Sequence, residues 1–350
     1  MSGGANSMNR RSLLACALLL GAPLAPAKAQ GVVDFYKGRT VELLIGYTSG
    51  GGYDTYGRLV SRHLGPFIPG KPNIVVRNLP GGGGRVLMGH MMNVAPKDGS
   101  VLATADQSLP LAQAMRDPGI LFDSKALIWL GNPAADNNTV ATWHTTGVAS
   151  IDDARNKEVI VASTGPNTSS QIAYAMNATL GTKFKVVSGY PGGNEMNMSM
   201  ENGETGARVS NPWSTWKATK PDWIRDKKIN IIAQVGLVRA PDLPDAPLIS
   251  DLATNEEDRA ALRLLSAPAA VGRPYFTTPG VPSDRVKALR DAFLAMEKDE
   301  AFLEDAKKLG LEINPVAGED LQKIVADIVD TPARVADRLS QIIVAPDGAK

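Results

Sequence analysis

Cysteine is all but missing from this chain. The only one in 350 residues is Cys16, inside the first apolar run. Beyond it no thiol remains, which excludes a disulfide framework, a cysteine nucleophile and thiolate metal ligation. Histidine is nearly as scarce: His63, His90 and His144 stand far apart and supply neither a zinc set nor an obvious base for a nucleophile. An excess of either charge is lacking too, because 37 Lys and Arg face 36 Asp and Glu. The net of +1 leaves no electrostatic footprint for nucleic acid or an anionic membrane. After Leu20 no apolar run approaches the roughly 20 residues that a membrane-crossing helix requires. Gly-x-Ser-x-Gly and His-Glu-x-x-His are absent, and Gly81-Gly82-Gly83-Gly84-Arg85 lacks the Gly-Lys-Ser/Thr of a phosphate loop. No catalytic constellation, cofactor motif or metal set is expected, and Arg85 reads as a solvated first-turn arginine.

What is present begins with an export signal over residues 1–29. From Met8, Asn9-Arg10-Arg11 is a basic start, Ser12 to Leu20 is mostly apolar, and Ala27-Lys28-Ala29 is a small-x-small cleavage site before Gln30. Leu13-Leu14-Ala15-Cys16 is a poor lipoprotein box, since the apolar region continues past Cys16. Cleavage near Ala29 would remove Arg10, Arg11 and Lys28, taking the formal charge from 37 − 36 = +1 to 34 − 36 = −2. The expected location is the periplasm.

The rest alternates β-rich runs with amphipathic stretches, the pattern of an α/β protein with mainly parallel sheets. Strands are expected at 40–46, 73–78, 100–105, 139–143, 158–163, 184–188, 206–210 and 229–235. Helices are expected at 53–64, 84–93, 108–116, 168–180, 194–202, 212–219 and 255–265. After them comes a helical tail opened by Pro282-Ser283-Asp284, with further helices at 300–308, 318–329 and 331–343. Gly131 to Asp136 and the proline-rich stretch Arg239 to Pro247 read as crossings between lobes. The expected division is 30–136 for the first part of domain I, 137–235 for an inserted domain II, and 236–350 for the second part of domain I with the C-terminal helices. Such a chain forms a hinged clamshell with a ligand cleft at strand C-termini.

Several strand-to-helix turns carry the chemistry. Gly46 and Tyr47-Thr48-Ser49-Gly50-Gly51-Gly52-Tyr53-Asp54 follow the first strand, where three bare glycines and a helix start form an anion cradle. Asp54 falls in the first helical turn. Ser163-Thr164-Gly165-Pro166-Asn167-Thr168-Ser169-Ser170 repeats the device, with Thr168, Ser169 and Ser170 suited to cap the helix and donate hydroxyls. A third start is Asn211-Pro212, with Asn211 as cap, Pro212 in the first turn and Trp213 as a pocket wall. Tyr190-Pro191-Gly192-Gly193 is a fourth. Gln107, behind the strand at 100–105, is counted with them.

In order, the chain shows Tyr36-Lys37-Gly38-Arg39-Thr40, the Gly50-Gly51-Gly52-Tyr53-Asp54 turn, Asn78-Leu79-Pro80-Gly81-Gly82-Gly83, Ala95-Pro96-Lys97-Asp98-Gly99, Ser163-Thr164-Gly165 with Thr168-Ser169, Tyr190-Pro191-Gly192-Gly193, and Pro279-Gly280-Val281-Pro282. This series resembles the periplasmic solute receptors of tripartite tricarboxylate transporters, the Bug-type receptors. The resemblance implies a two-domain periplasmic-binding-protein (Venus flytrap) fold and a monomer that delivers a small carboxylate to a membrane permease of two subunits. It implies that residues 47–52 and 164–170 cradle the carboxylate through amides and hydroxyls, and that Asn211 stands where the family often has an aspartate. Tyr47 and Thr48 replace the more usual proline-alanine. Two other readings stay open: a periplasmic hydrolase using Ser49, and a receptor or sensor ligand-presenter for an amino acid or phosphate.

Overall fold

The computed structural model describes Met1, Gly3 and residues 31–344. The expected export signal, with Cys16 and the cleavage site at Ala29, therefore lies outside the described residues apart from Met1 and Gly3. Residues 32–344 form one compact unit.

Among the described residues eleven strands build two sheets: β1 (Thr40–Ile45), β2 (Asn73–Asn78), β3 (Val101–Thr104), β4 (Ile128–Asn132), β5 (Asn138–Trp143), β6 (Val159–Ser163), β7 (Phe184–Ser188), β8 (Ala207–Pro212), β9 (Ile229–Val235), β10 (Tyr275–Thr277) and β11 (Val316–Ala317). The first sheet has the order β11-β4-β10-β3-β1-β2 and the second β7-β6-β8-β5-β9. Strand β1 shows why the first sheet is covered on both faces. Its Val41 and Leu43 pack with Tyr56, Leu59 and Val60 of the helix Gly52–His63, and with Phe293 and Met296 of the helix Ser283–Met296. Leu44 packs instead with Leu87, Met88 and Met91 of the helix Arg85–Asn93. Each such fully buried side chain is worth about 1.5–3 kcal/mol of transfer energy, so a strand buried on both sides reads as a continuous apolar run.

The α/β class holds, but the expectation of mainly parallel sheets does not. Pairs β1–β2, β1–β3, β6–β7 and β6–β8 are parallel, whereas β3–β10, β4–β10, β4–β11, β5–β8 and β5–β9 are antiparallel. Parallel pairing needs a helical crossover on the sheet face. Strands β4 and β10 are joined through the whole second sheet instead, so local alternation does not fix their direction.

Four sequence expectations are corrected locally. The short strands β4, β10 and β11 were not among the expected elements, and β4 includes Gly131 and Asn132 of the expected crossing. Asn211 and Pro212 do not open a helix by capping; both end β8, pairing with Thr139 and Asn138, and the helix starts at Trp213. The helix Thr168–Leu180 is capped by Asn167, whose side chain accepts from the Ser169 N–H, so Thr168, Ser169 and Ser170 are its first turn. Asn is among the best caps because its carbonyl reaches a first-turn amide while its own backbone stays extended.

Candidate functional site

The parallel strands deliver their following loops to one place, the side on which open α/β sheets bind ligands. Strand β1 runs into 46–51, β3 into 105–108, β6 into 164–167 and β7 into 189–192. They surround a cavity between the sheets. Tyr47, Gly51, Gly52, Tyr53, Asp106, Gln107 and Arg273 line it from the side of the first sheet. Thr164, Asn167, Thr168, Ser169, Gly193, Met196, Arg208, Asn211 and Thr215 line it from the side of the second. Centres of water-sized spheres can occupy about 60 Å³ of it, where one water needs about 10–15 Å³. That is room for several waters or one small organic acid.

The helix starts at Gly52 and Gly193 have glycine N-caps, Gly51 and Gly192, with no side-chain cap bond. Their first-turn amides are thus not claimed by capping side chains, and the positive ends of both helices meet the cavity. The two sides touch closely. Thr48 Oγ1 donates to Glu195 Oε2 at 2.9 Å, Arg85 donates to the Pro166 carbonyl at 3.0 Å, and a Cβ added to Gly51 would stand 3.5 Å from Gly193 N.

Two buried cations dominate the electrostatics. Arg208, the second residue of β8 and 7% exposed, donates to Asn197 Oδ1 at 2.6 Å, Gly193 O at 3.2 Å and Asn211 Oδ1 at 3.0 Å. Burial pushes its guanidinium down to about 9. Arg273, 3% exposed, lies over the Tyr56 ring and donates to Thr215 Oγ1. Among the described residues neither guanidinium has a carboxylate within the 4.0 Å of an ion pair. Asn211 Nδ2 is also buried there without a partner. Isolated buried charge is costly, so this arrangement is suited to an anion that arrives from solution.

One buried carboxylate lies in the same cavity. Asp106 accepts from Tyr47 OH at 2.5 Å, from the Ser108 N–H at 2.8 Å and from Ser108 Oγ. Tyr47 stacks on Tyr53 with ring centroids 4.9 Å apart, and Tyr53 OH accepts from the Gln107 N–H at 3.0 Å. Burial, followed by the Asp106 charge, raises the phenols of both tyrosines far above their ordinary range, so they are neutral donors.

Of the sequence-expected residues, Tyr47, Gly51, Gly52, Tyr53, Gln107, Thr164, Thr168, Ser169 and Asn211 line this cavity. Gly165 and Tyr190 line an adjacent one with Tyr47, Thr164, Pro80 and Gly81. Trp213 does not wall the central cavity. It lines a third, with Asp136, Val238 and Glu312, because β8 extends to Pro212 and the helix begins only there. Thr48, Ser49, Gly50, Asp54, Ser170 and Gly192 lie outside the lining. The Asp54 carboxylate is used within its own turn: burial acts to raise it, but Arg58, Asn78 and the Gly50 N–H together hold it below the usual range. Ser170 Oγ donates to the Gly165 and Asn167 carbonyls inside its loop. With its amide nitrogen facing carbonyls, the Gln107 side chain donates to Pro268 O at 3.1 Å and Gly272 O at 3.2 Å, bracing the segment that carries Arg273.

Arg208, Arg273, Asp106, Met196 and Thr215 were not foreseen, and Asn167 only as part of the 164–170 cradle. Arg208 had a signal: a charged residue between the apolar Ala207 and Val209 in a buried strand is rare unless paired or functional. Arg273 had none, for its place depends on a contact with Thr215 across 58 positions.

The comparisons with known proteins agree with this geometry. The structure matches the periplasmic binding protein BugD with a TM-score of 0.70 at 18% identity, over 88% of this chain and 99% of that one. The fold is that of a periplasmic binding protein. MatC (Rpa3494) from Rhodopseudomonas palustris, solved with bound malate, matches with a TM-score of 0.65 at 16% identity, over 86% of this chain and 99% of that one. In sequence, a segment of 94 residues is 37% identical to the "UPF0065 protein in gbd 5'region" of Cupriavidus necator, spanning 27% of each protein. No protein-family model matches the chain.

Proposed function

We propose that this protein is an extracytoplasmic receptor that binds a small carboxylate between its two sheets and presents it to a two-subunit membrane permease. It acts by binding and release, without turnover, after export and cleavage near Ala29. In this reading residues 30–136 and 236–350 form one lobe and 137–235 the other. The observation that carries it is the pair Arg208 and Arg273, two buried guanidinium groups without carboxylate partners beside the uncapped helix starts at Gly52 and Gly193.

Residues from both sides meet one anion only when the sides approach, so the ligand shifts the population towards a closed form that a permease can read. A carboxylate accepting charge-assisted bonds gains about 1.5–3 kcal/mol from each, and neutral amides and hydroxyls about 1 kcal/mol. Two or three of the former with a few of the latter suffice for micromolar affinity, roughly 8 kcal/mol. The malate bound to MatC, a protein of the same fold, supports the choice of a carboxylate.

A thermal-shift screen against carboxylates, amino acids and phosphate tests the reading. A ligand at about 1,000 times its Kd stabilises the native state by roughly 4 kcal/mol and raises the melting temperature by several degrees. A response confined to amino acids or phosphate, or chemical alteration of the bound compound, would overturn it.

A further inference from the structure

In the central cavity Arg208 and Arg273 flank the paired helix starts. A Cβ on Gly52 would stand 3.4 Å from Arg273 Nη2, and one on Gly193 would stand 3.2 Å from Arg208 Nη2. The unpartnered Asn211 Nδ2 is buried on the same side, since Asn211 Oδ1 accepts from Arg208. Asp106, 6% exposed, has other neighbours: it accepts from Tyr47 OH, and Asn167 Nδ2 approaches the same oxygen at 3.5 Å. Tyr47 and Thr164 line both this cavity and the adjacent one, where water-sized spheres have about 290 Å³. Tyr47 and Thr164 therefore separate the small central chamber from a roomier neighbour, and Asp106 holds the Tyr47 hydroxyl on the central side.

Resting on the receptor reading above, we propose that the central chamber selects a compact monoanion: one carboxylate held by Arg208 and Arg273, with an uncharged tail that stops at Tyr47 and Asp106. Two guanidinium groups and one carboxylate leave a formal +1 in the lining, which a monoanion brings to neutrality. A dianion overshoots to −1 and turns its second carboxylate towards Asp106, where water is scarce and like charges repel strongly. The donors around Asp106 are already engaged with that residue, so they do not offset a second anion at no cost. The Tyr47 ring, fixed by its short bond to Asp106 and its stack on Tyr53, limits the length of the tail. Asp106 thus sets the charge and Tyr47 the length of the accepted solute.

Titration calorimetry on protein expressed from the full chain tests this with butyrate, hexanoate, succinate and adipate. The unaltered protein should bind butyrate at least tenfold more tightly than succinate, the diacid of equal carbon number. Asp106→Asn should bring succinate within about threefold of butyrate, and Tyr47→Ala should improve hexanoate at least tenfold relative to butyrate. Succinate or adipate binding more tightly than butyrate to the unaltered protein overturns the assignment while leaving the receptor reading intact. Binding of none of the four acids at millimolar concentration overturns the assignment too, while the receptor reading is decided separately by the wider thermal-shift screen. The comparison within the unaltered protein decides the matter even if a variant fails to fold.

Discussion

Replacing Arg208 by methionine should cost the protein its ligand while leaving the empty fold as stable or more so. A guanidinium pushed by burial from 12.5 to about 9 is destabilised by roughly 5 kcal/mol relative to water. Methionine has similar length and no charge, so it removes that cost. Against this, Asn197 Oδ1, Gly193 O and Asn211 Oδ1 lose a donor, at about 1 kcal/mol each. The contact of the guanidinium with the Trp216 ring, 5.1 Å to the centroid, is also lost, worth about 0.5–1 kcal/mol. The balance is about 0–2 kcal/mol in favour of the Arg208→Met fold. Binding moves the other way, because a carboxylate that loses one or two charge-assisted bonds loses about 3 kcal/mol, or more than a hundredfold in Kd. Urea unfolding of ligand-free protein gives the first quantity, and calorimetry with the tightest carboxylate of the thermal-shift screen gives the second. A variant that is at least 2 kcal/mol less stable when empty, yet binds with unchanged affinity, would mean that Arg208 is a structural cation and that the anion site lies elsewhere.

Two further substitutions probe other parts of the argument. Gly51 has an extended backbone, φ −87° and ψ 172°, and a Cβ there meets nothing nearer than 3.5 Å, so Gly51→Val should fold with an unchanged melting temperature while its methyls fill the cavity and abolish ligand-induced stabilisation; undiminished affinity refutes the first-turn site. Glu297 is 5% exposed, its Oε1 has no partner, and burial, slightly offset by Lys298, pushes its carboxyl up to about 8. A carboxyl raised in the folded state is held protonated, so its contribution is fully present below about 4.5, the unfolded value, and is lost as pH rises through about 8. Unfolding free energies from urea titrations should accordingly fall between pH 5 and pH 9, by about 3–5 kcal/mol in total, and Glu297→Gln should flatten most of that decline; parallel profiles for the two proteins would refute the assignment.

Much of the fold was legible because its signals are local. The helix expected at 168–180 and the strands expected at 73–78, 184–188 and 229–235 occur at those residues, as do the helices at 300–308 and 318–329. In each, hydrophobic period and flanking turn residues agree, so a window of ten residues contains the answer. The glycine turns after β1 and β7 were legible for the same reason. Bare backbone before a helix leaves amides free whatever surrounds it. The short strands β10 and β11 were not, since three residues and two residues become strands only when a partner's ladder is offered from elsewhere in the chain. Trp213 shows the same limit, for the turn it follows looked like a helix cap until Asn211 and Pro212 were claimed by β5.

The sequence by itself determined the alternation of strands and helices, the bare turns between them, and the scarcity of thiols and imidazoles. Tertiary structure alone decided the sign of the cavity. Arg208 and Arg273 are 65 positions apart, Asp106 is more than a hundred residues before either, and nothing in a local window says that they will share one small space. Backbone propensity and capping act over a few residues, whereas the energy of a buried charge depends on what the whole fold places around it.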